Sequence, residues 1–544
     1  MKNFYNFAVI VMLIVTLAAV GCSKKEANLK KASQKGILYV GNGSEPQDID
    51  PQTVTGVPEQ RIISALFEGL LSENPETLEP EPALAESWSV SPDSLTYTFK
   101  LRDNLKWSNR DPITANDFVY AYKRILSPAL GSQNAYMLYC MKNAEKYNKR
   151  IIADFSEVGV KALDDNTLQI KLARPTPYFL SLVTHMAWFP IDKNAIEKFG
   201  TMDQRGTKWT LPGNLVCDGP FVLKNWEVNK VITVVKNPLY WDARNVKLNQ
   251  IEFFPISDNQ AEERTFRAGQ LHITYTVPSS KIDYYQKNKS DLIHISPYMG
   301  TYYMVFNVNK YPFDSALVRK ALSLAIDRKS LAEDVVKGGK QPANSFTPPN
   351  TGDYTAKTNL PYDVKFAREC LANAGYPDGK GFPTIELMYN TSERNRQIAE
   401  AIQAMWQSNL NIKVELVNKE WKMYLDSFRT RDFSIAAASW IGDYNDPLTF
   451  LGMWTSDSTN NRARWSNSQY DKLIEDASVL SDQATRYDYF NEAEKLLMDQ
   501  MPVMPLYYYT SMALISPDVK GWHPNILDHH PYKYMSLSDS ANIR

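Results

Sequence analysis

Residues 95–102 alternate strictly: apolar Leu95, Tyr97, Phe99 and Leu101 against polar Thr96, Thr98, Lys100 and Arg102. Successive strand side chains point to opposite faces, so a period of two predicts a strand buried on one side. From about Pro58 the period changes. Ile62, Ile63, Leu66, Phe67 and Leu70 recur at helical spacing. A second helical face carries Phe118, Tyr122 and Ile125. It is preceded by Thr114 with Asp117 three residues on, a capping box in which Asp replaces the usual Glu. The stretch "VGVKALDDNTLQIKLARPTPYF" predicts a hairpin turning at Asp164, Asp165 and Asn166. Strand-like segments dominate residues 215–300, and residues 383–428 read as β-α-β-α. Residues 468–502 read as one acidic helix before "VMPLYYYTSMALI". No repeat of fixed period shows, and the mixture of hairpins and βα units predicts mixed α/β and α+β domains. With 544 residues, and roughly 100–200 residues per domain, about three domains are expected.

The N-terminus has a different texture. Lys2 precedes an apolar run, Ala8 to Val20. The run is short for a membrane span, which needs roughly 20 residues, and suits the apolar region of a secretory signal. It ends in Ala19-Val20-Gly21-Cys22, which resembles a bacterial lipobox, with Ala19 where Leu is preferred. That resemblance implies cleavage before Cys22 and a lipid on its thiol. The polar stretch after Cys22 reads as a tether.

Charge and cysteine content narrow the chemistry. A net charge of -1 gives no electrostatic basis for nucleic-acid binding. Beyond Cys22 the cysteines are Cys140, Cys217 and Cys370, at spacings that match no zinc or CxxC pattern. They read as isolated core thiols, with one disulfide left open. "GYPDGKG" is too short for a phosphate loop and lacks Ser or Thr after its Lys, so it reads as a turn. His523, His529 and His530 have no HExxH or Cys companion and read as a solvated tail; no metal or other cofactor is expected. No Gly-x-Ser-x-Gly elbow exists. The 31 Tyr and 12 Trp can fill cores or line a recognition cleft. Near the C-terminus the apolar run Ile435-Ala436-Ala437-Ala438 leads through Trp440 to Asp443. An Asp at that place can cap a turn or serve a ligand.

Several stretches in order carry a family resemblance. They are "LFEGLL", "ALAESWSVSPDSLTYTFKLRDNLKWSNRDPITANDFVYAYKRIL" at 83–126, "VKALDDNTLQIKL", "NPLYWD", "VRKALSLAIDR", "YNTSE", "SDSTNN" and "MPLYYY". Together they resemble the bacterial extracellular solute-binding proteins of family 5, peptide-binding lipoproteins that serve ABC importers. "GNGSEPQDIDPQTVTGVPE" at 41–59 and "WIGDYNDPLTF" at 440–450 place it nearest the oligopeptide-binding subgroup. Arg110 stands where the family usually has a turn glycine.

The resemblance implies a type II two-lobe periplasmic-binding fold with an inserted domain. The expected limits are a signal peptide at 1–21, a tether at 22–36, domain I at 37–67, 192–299 and 507–544, domain II at 68–191 and domain III at 300–506. It implies a peptide ligand with a free N-terminal amine, an ABC permease as partner, a monomer, and a periplasmic or cell-surface location anchored through Cys22. Asp443 takes the position of the carboxylate that holds the ligand ammonium. Trp440, Trp421, Tyr298, Tyr303 and Tyr275 align with cleft aromatics, and Val57 with a backbone contact. Lys337 aligns with a cation that receives ligand carboxylates. Departures are concentrated in the side-chain pockets and at the carboxylate end. Family pocket acids read Thr55, Asn259 and Val305, and a pocket Tyr reads Gln133. A cysteine pair reads Gly300 and Ile441. Basic positions read Ala437, Phe428 and Asn395, with Arg394, Arg396 or Arg429 as possible substitutes. The competing readings are a secreted hydrolase, which lacks a nucleophile or metal set here, and a family member serving as receptor or chaperone or binding another solute such as nickel, haem or a sugar.

Overall fold

The computed structural model describes residues 29–538 apart from 459 and 481. The signal segment and Cys22 lie outside the described residues. Three main sheets organise the rest.

The first has the order Ile37–Gly41, Gln250–Phe254, Val231–Lys236, Phe221–Glu227, with a parallel first pair and antiparallel neighbours. Its inward residues, Leu38, Val40, Ile251 and Phe253, alternate along their strands as a half-buried sheet requires. The second is antiparallel, with order Ala85–Val90, Thr96–Leu101, Thr167–Lys171, Val160–Asp164. Tyr97, Phe99 and Leu101 are buried, as the alternation predicts. The helix Ala115–Ile125 buries Phe118, Tyr122 and Ile125, and its capping box is complete: the Thr114 backbone N–H donates to Asp117 Oδ2 at 2.7 Å. Arg110 adopts φ +82°, the left-handed region that a glycine would occupy without strain.

The third sheet has six strands in the order Gln341–Pro342, Val503–Leu514, Ile293–Phe306, Ile435–Ile441, Ile385–Asn390, Val414–Lys419. Ile385–Asn390 and Val414–Lys419 are parallel and joined by the helix Glu393–Leu410, a βαβ unit at the predicted place.

Packing separates two large cores. One gathers the first two sheets with residues 515–537; the other surrounds the six-stranded sheet. The long strands Ile293–Phe306 and Val503–Leu514 run between them. Their outer ends reach Ile515, which bridges Ile273 and through it Val40 in the first sheet. The expected domain limits at 299/300 and 506/507 therefore fall inside continuous strands. A register shift between Pro297 and Thr301 marks where these strands pass from one core to the other.

Two sequence expectations change. Residues 468–502 form two helices, Ser468–Val479 and Gln483–Gln500. Asp482 starts the second by accepting from the Thr485 backbone N–H at 2.9 Å, so a local cap overrides the continuous acidic pattern. The histidines near the C-terminus are not a solvated tail. His529 meets Glu73 at 2.8 Å, His530 meets Asp528 at 2.9 Å, and Arg61 pairs with Asp528 at 3.0 Å. Arg61 thereby ties the C-terminal segment to the helix Val57–Leu66, and Glu73 ties it to the strand Leu71–Glu73. His523 stays near the surface beside Glu76. Among the described residues no cluster of His, Cys, Asp and Glu is arranged to hold a metal. Cys140, Cys217 and Cys370 are free thiols.

Candidate functional site

The strand Ile435–Ile441 delivers the site. Its Ala436, Ala437 and Ala438 are buried as part of the second core. It pairs antiparallel with Ile293–Phe306, placing Ile441 opposite Gly300 and Trp440 opposite Thr301. Gly442 follows, its N–H bonded to the Met299 carbonyl at 2.8 Å. A Cβ there would fall 2.3 Å from Met299 Cε and 3.0 Å from Phe450 and Thr449 side-chain atoms, so a larger residue would displace the Met299 side chain. The chain then turns and presents Asp443.

The two acids of "DYND" have separate duties. Asp446 is buried and bidentate with Arg486, at 2.6 and 2.7 Å, and accepts from the Leu448 backbone N–H at 2.9 Å. It is the turn cap and a neutralised ion pair at once. Asp443 is different. Its backbone N–H donates to Thr449 Oγ1 at 3.1 Å, and its carboxylate accepts a hydrogen bond of 2.5 Å from the Tyr136 hydroxyl. It forms no ion pair with the described residues. Burial pushes its carboxyl up to about 6, with the Tyr136 bond opposing the rise.

Tyr136 belongs to the first core's lobe, on the short turn Ala135–Leu138. Beside it Tyr178 stacks on Tyr444 at 5.1 Å, and Tyr444 packs into the first core from the second lobe's loop. Asp443 therefore sits where the lobes meet.

The other expected residues are dispersed around this contact. Trp440 is half-buried, and its Nε1 has no hydrogen-bond partner. Tyr275 lies under the Arg61 guanidinium, 4.5 Å from ring centroid to Cζ. Val57, Arg61, Tyr298, Asp528 and His529 line one cavity in the first lobe. Trp421 opens the helix Trp421–Thr430. Tyr303 is 3% exposed, edge-on to Phe346 and Trp454, and is a core ring in this conformation. Lys337 is turned to the surface beside Asp283, at 3.6 Å. Three residues on, Lys340 is only 4% exposed, its Nζ 3.0 Å from Thr510 Oγ1.

At the altered basic positions, Ala437 and Phe428 are core, and Phe428 stacks on Phe433 at 5.1 Å. Asn395 accepts from the Tyr302 hydroxyl at 3.1 Å. Sequence reasoning missed Tyr136 and Lys340. Tyr136 lies three residues beyond Gln133, and Lys340 three beyond Lys337; neither stands on a motif.

Residues 79–462 match the family described as bacterial extracellular solute-binding proteins, family 5 Middle. The chain belongs to this family. It is 37% identical over 539 residues to the periplasmic oligopeptide-binding protein OppA of Salmonella typhimurium, covering 96% of each chain. The murein tripeptide-binding protein MppA of Escherichia coli superposes with a TM-score of 0.83 at 37% identity, covering 92% of this chain and 98% of that one. A structure of MppA described as its unliganded open form gives a TM-score of 0.73. The present lobes are thus arranged less like that open form than like the other MppA structure, in keeping with Tyr136 reaching Asp443. The fold is the family's two-lobe, type II binding-protein architecture.

Proposed function

We infer that this protein is the extracytoplasmic substrate-binding component of an ABC peptide importer. It captures a peptide by its free α-ammonium between the two lobes and delivers it to a permease. The observation that carries this reading is Asp443, a carboxylate placed at the lobe contact with no cation of the described chain beside it, while Asp446 three residues away is fully paired. An ion taken from water is stabilised only by a well-placed counter-ion and hydrogen bonds. A ligand ammonium supplies the missing charge, and Tyr136 supplies one of the bonds.

The rest of the peptide is held by its main chain, which every sequence shares, while hydrated pockets accept varied side chains. In this reading Trp440, Tyr275, Tyr298 and the Val57 backbone bound the cleft, while Tyr303 supports it from the core. The domain limits given above, with the two long strands as connectors, divide the lobes. Cys22 carries the lipid that holds a monomer at the membrane surface. Native mass spectrometry of the protein as purified tests the proposal. Co-purified masses matching short peptides are expected; a non-peptide solute of fixed mass would replace this reading with another.

A further inference from the structure

Asp443 accounts for one end of a peptide. The other end lacks the family's usual basic residues, yet Lys340, which no motif singled out, is buried near Arg394, one of the possible substitutes. Lys340 is 4% exposed, and its Nζ donates to a hydroxyl, Thr510 Oγ1 at 3.0 Å. Arg394 lies in the first turn of the helix Glu393–Leu410, and its Nε is buried without a hydrogen-bond partner. Neither forms an ion pair with any described residue. Arg394 acts on a group of tyrosines: Tyr302 stacks on Tyr507 at 5.0 Å, and Tyr509 lies edge-on to Tyr507 at 5.5 Å.

The sheet register relates this place to Asp443. Gln341 pairs with Tyr508, Tyr508 with Thr301, and Thr301 with Trp440, one row across four strands. Lys340 is one residue before that row's start, and Asp443 three beyond its end. Three strand spacings of about 4.8 Å separate them by roughly 14 Å across the sheet. An extended chain rises about 3.4 Å per residue, so the gap is that of a peptide of about three to five residues.

We propose that Lys340 and Arg394 together receive a carboxylate of the ligand, at the opposite end of the peptide from Asp443. The proposal rests on the peptide reading above and adds to it both a second anchor and a length. Burial and the Arg394 guanidinium push Lys340 down to about 7. A buried cation beside another cation is a poor arrangement until an anion arrives. The carboxylate is the C-terminal one or that of an acidic side chain near that end.

Calorimetry on the full chain tests this with tri-, tetra- and pentaalanine, each as free acid and C-terminal amide. A second amidated pair carries Glu or Gln at its last position. Wild type is expected to prefer a carboxylate tenfold or more, in the acid–amide pair for a C-terminal anchor or in the Glu–Gln pair for a side-chain anchor. Lys340→Met and Arg394→Gln should each shrink that preference to within about threefold, with thermal melting used to verify folding. A preference kept by both variants, or absent from wild type, would overturn the receptor while leaving the peptide reading intact. Wild-type protein that binds none of these peptides would sink the peptide reading, and the receptor with it.

Discussion

The hydroxyl of Tyr136 meets the carboxylate of Asp443 at 2.5 Å, joining side chains from opposite lobes. A phenol donating to a carboxylate favours its ionised form, which is the form an ammonium requires. Under the proposed function, the contact between the lobes favours the form of Asp443 that a ligand ammonium needs. Tyr136→Phe should weaken binding of free-amine peptides by about 10- to 150-fold, the range of a hydrogen bond to a charged group. Calorimetry at neutral pH measures the loss, and an unchanged Kd would show that Tyr136 merely touches the site.

Affinity should follow pH on two limbs. The free protein holds Asp443 at about 6, and the ammonium binds its ionised form. Affinity therefore rises with pH up to about 6 and is lost below it. Lys340 stands at about 7, and a carboxylate binds its charged form. Affinity therefore falls as pH rises above 7. Titrations from pH 4.5 to 9 should show both limbs, with Asp443→Asn removing the acid limb and Lys340→Met the alkaline one.

Lys340→Met should also raise the unliganded protein's melting temperature at neutral pH. A lysine whose folded value lies below its unfolded value destabilises the fold, and the destabilisation grows as pH falls from the ordinary lysine range through 7. Replacing it removes a buried charge that serves a ligand rather than the fold. A lower melting temperature would identify Lys340 as a structural residue.

Asp446 and Asp443 should separate stability from binding. Asp446→Ala leaves Arg486 buried and unpaired, which destabilises by about 3–5 kcal/mol. Asp443→Asn removes no ion pair and takes away a carboxylate that burial disfavours, so the urea midpoint at neutral pH should hold or rise. Equal losses would contradict the division of labour between them.

These contrasts also show what the chain displays locally. The strand at Leu95–Leu101 and the helix over Phe118–Ile125 are legible because alternation, helical period and the Thr114–Asp117 cap lie within a few residues of each other. Asp443 became a candidate through its resemblance, since its chemistry alone also fits a turn cap, the duty that Asp446 performs. The rest depends on distant partners. His529 meets Glu73 from 456 positions away, which no local pattern encodes. Lys337 and Lys340 are equivalent by composition, and only the pairing of Gln341 with Tyr508 buries the second. Tyr136 is one tyrosine among 31 until the lobes bring it to Asp443.

The central claim is that Asp443 holds a ligand ammonium. Calorimetry of wild type and Asp443→Asn with tetraalanine and its N-acetylated form tests it most directly. The account predicts that acetylation and Asp443→Asn each weaken binding at least a hundredfold, and that their combined loss is little greater than either alone. Acetylated peptide bound as tightly as the free amine would contradict it.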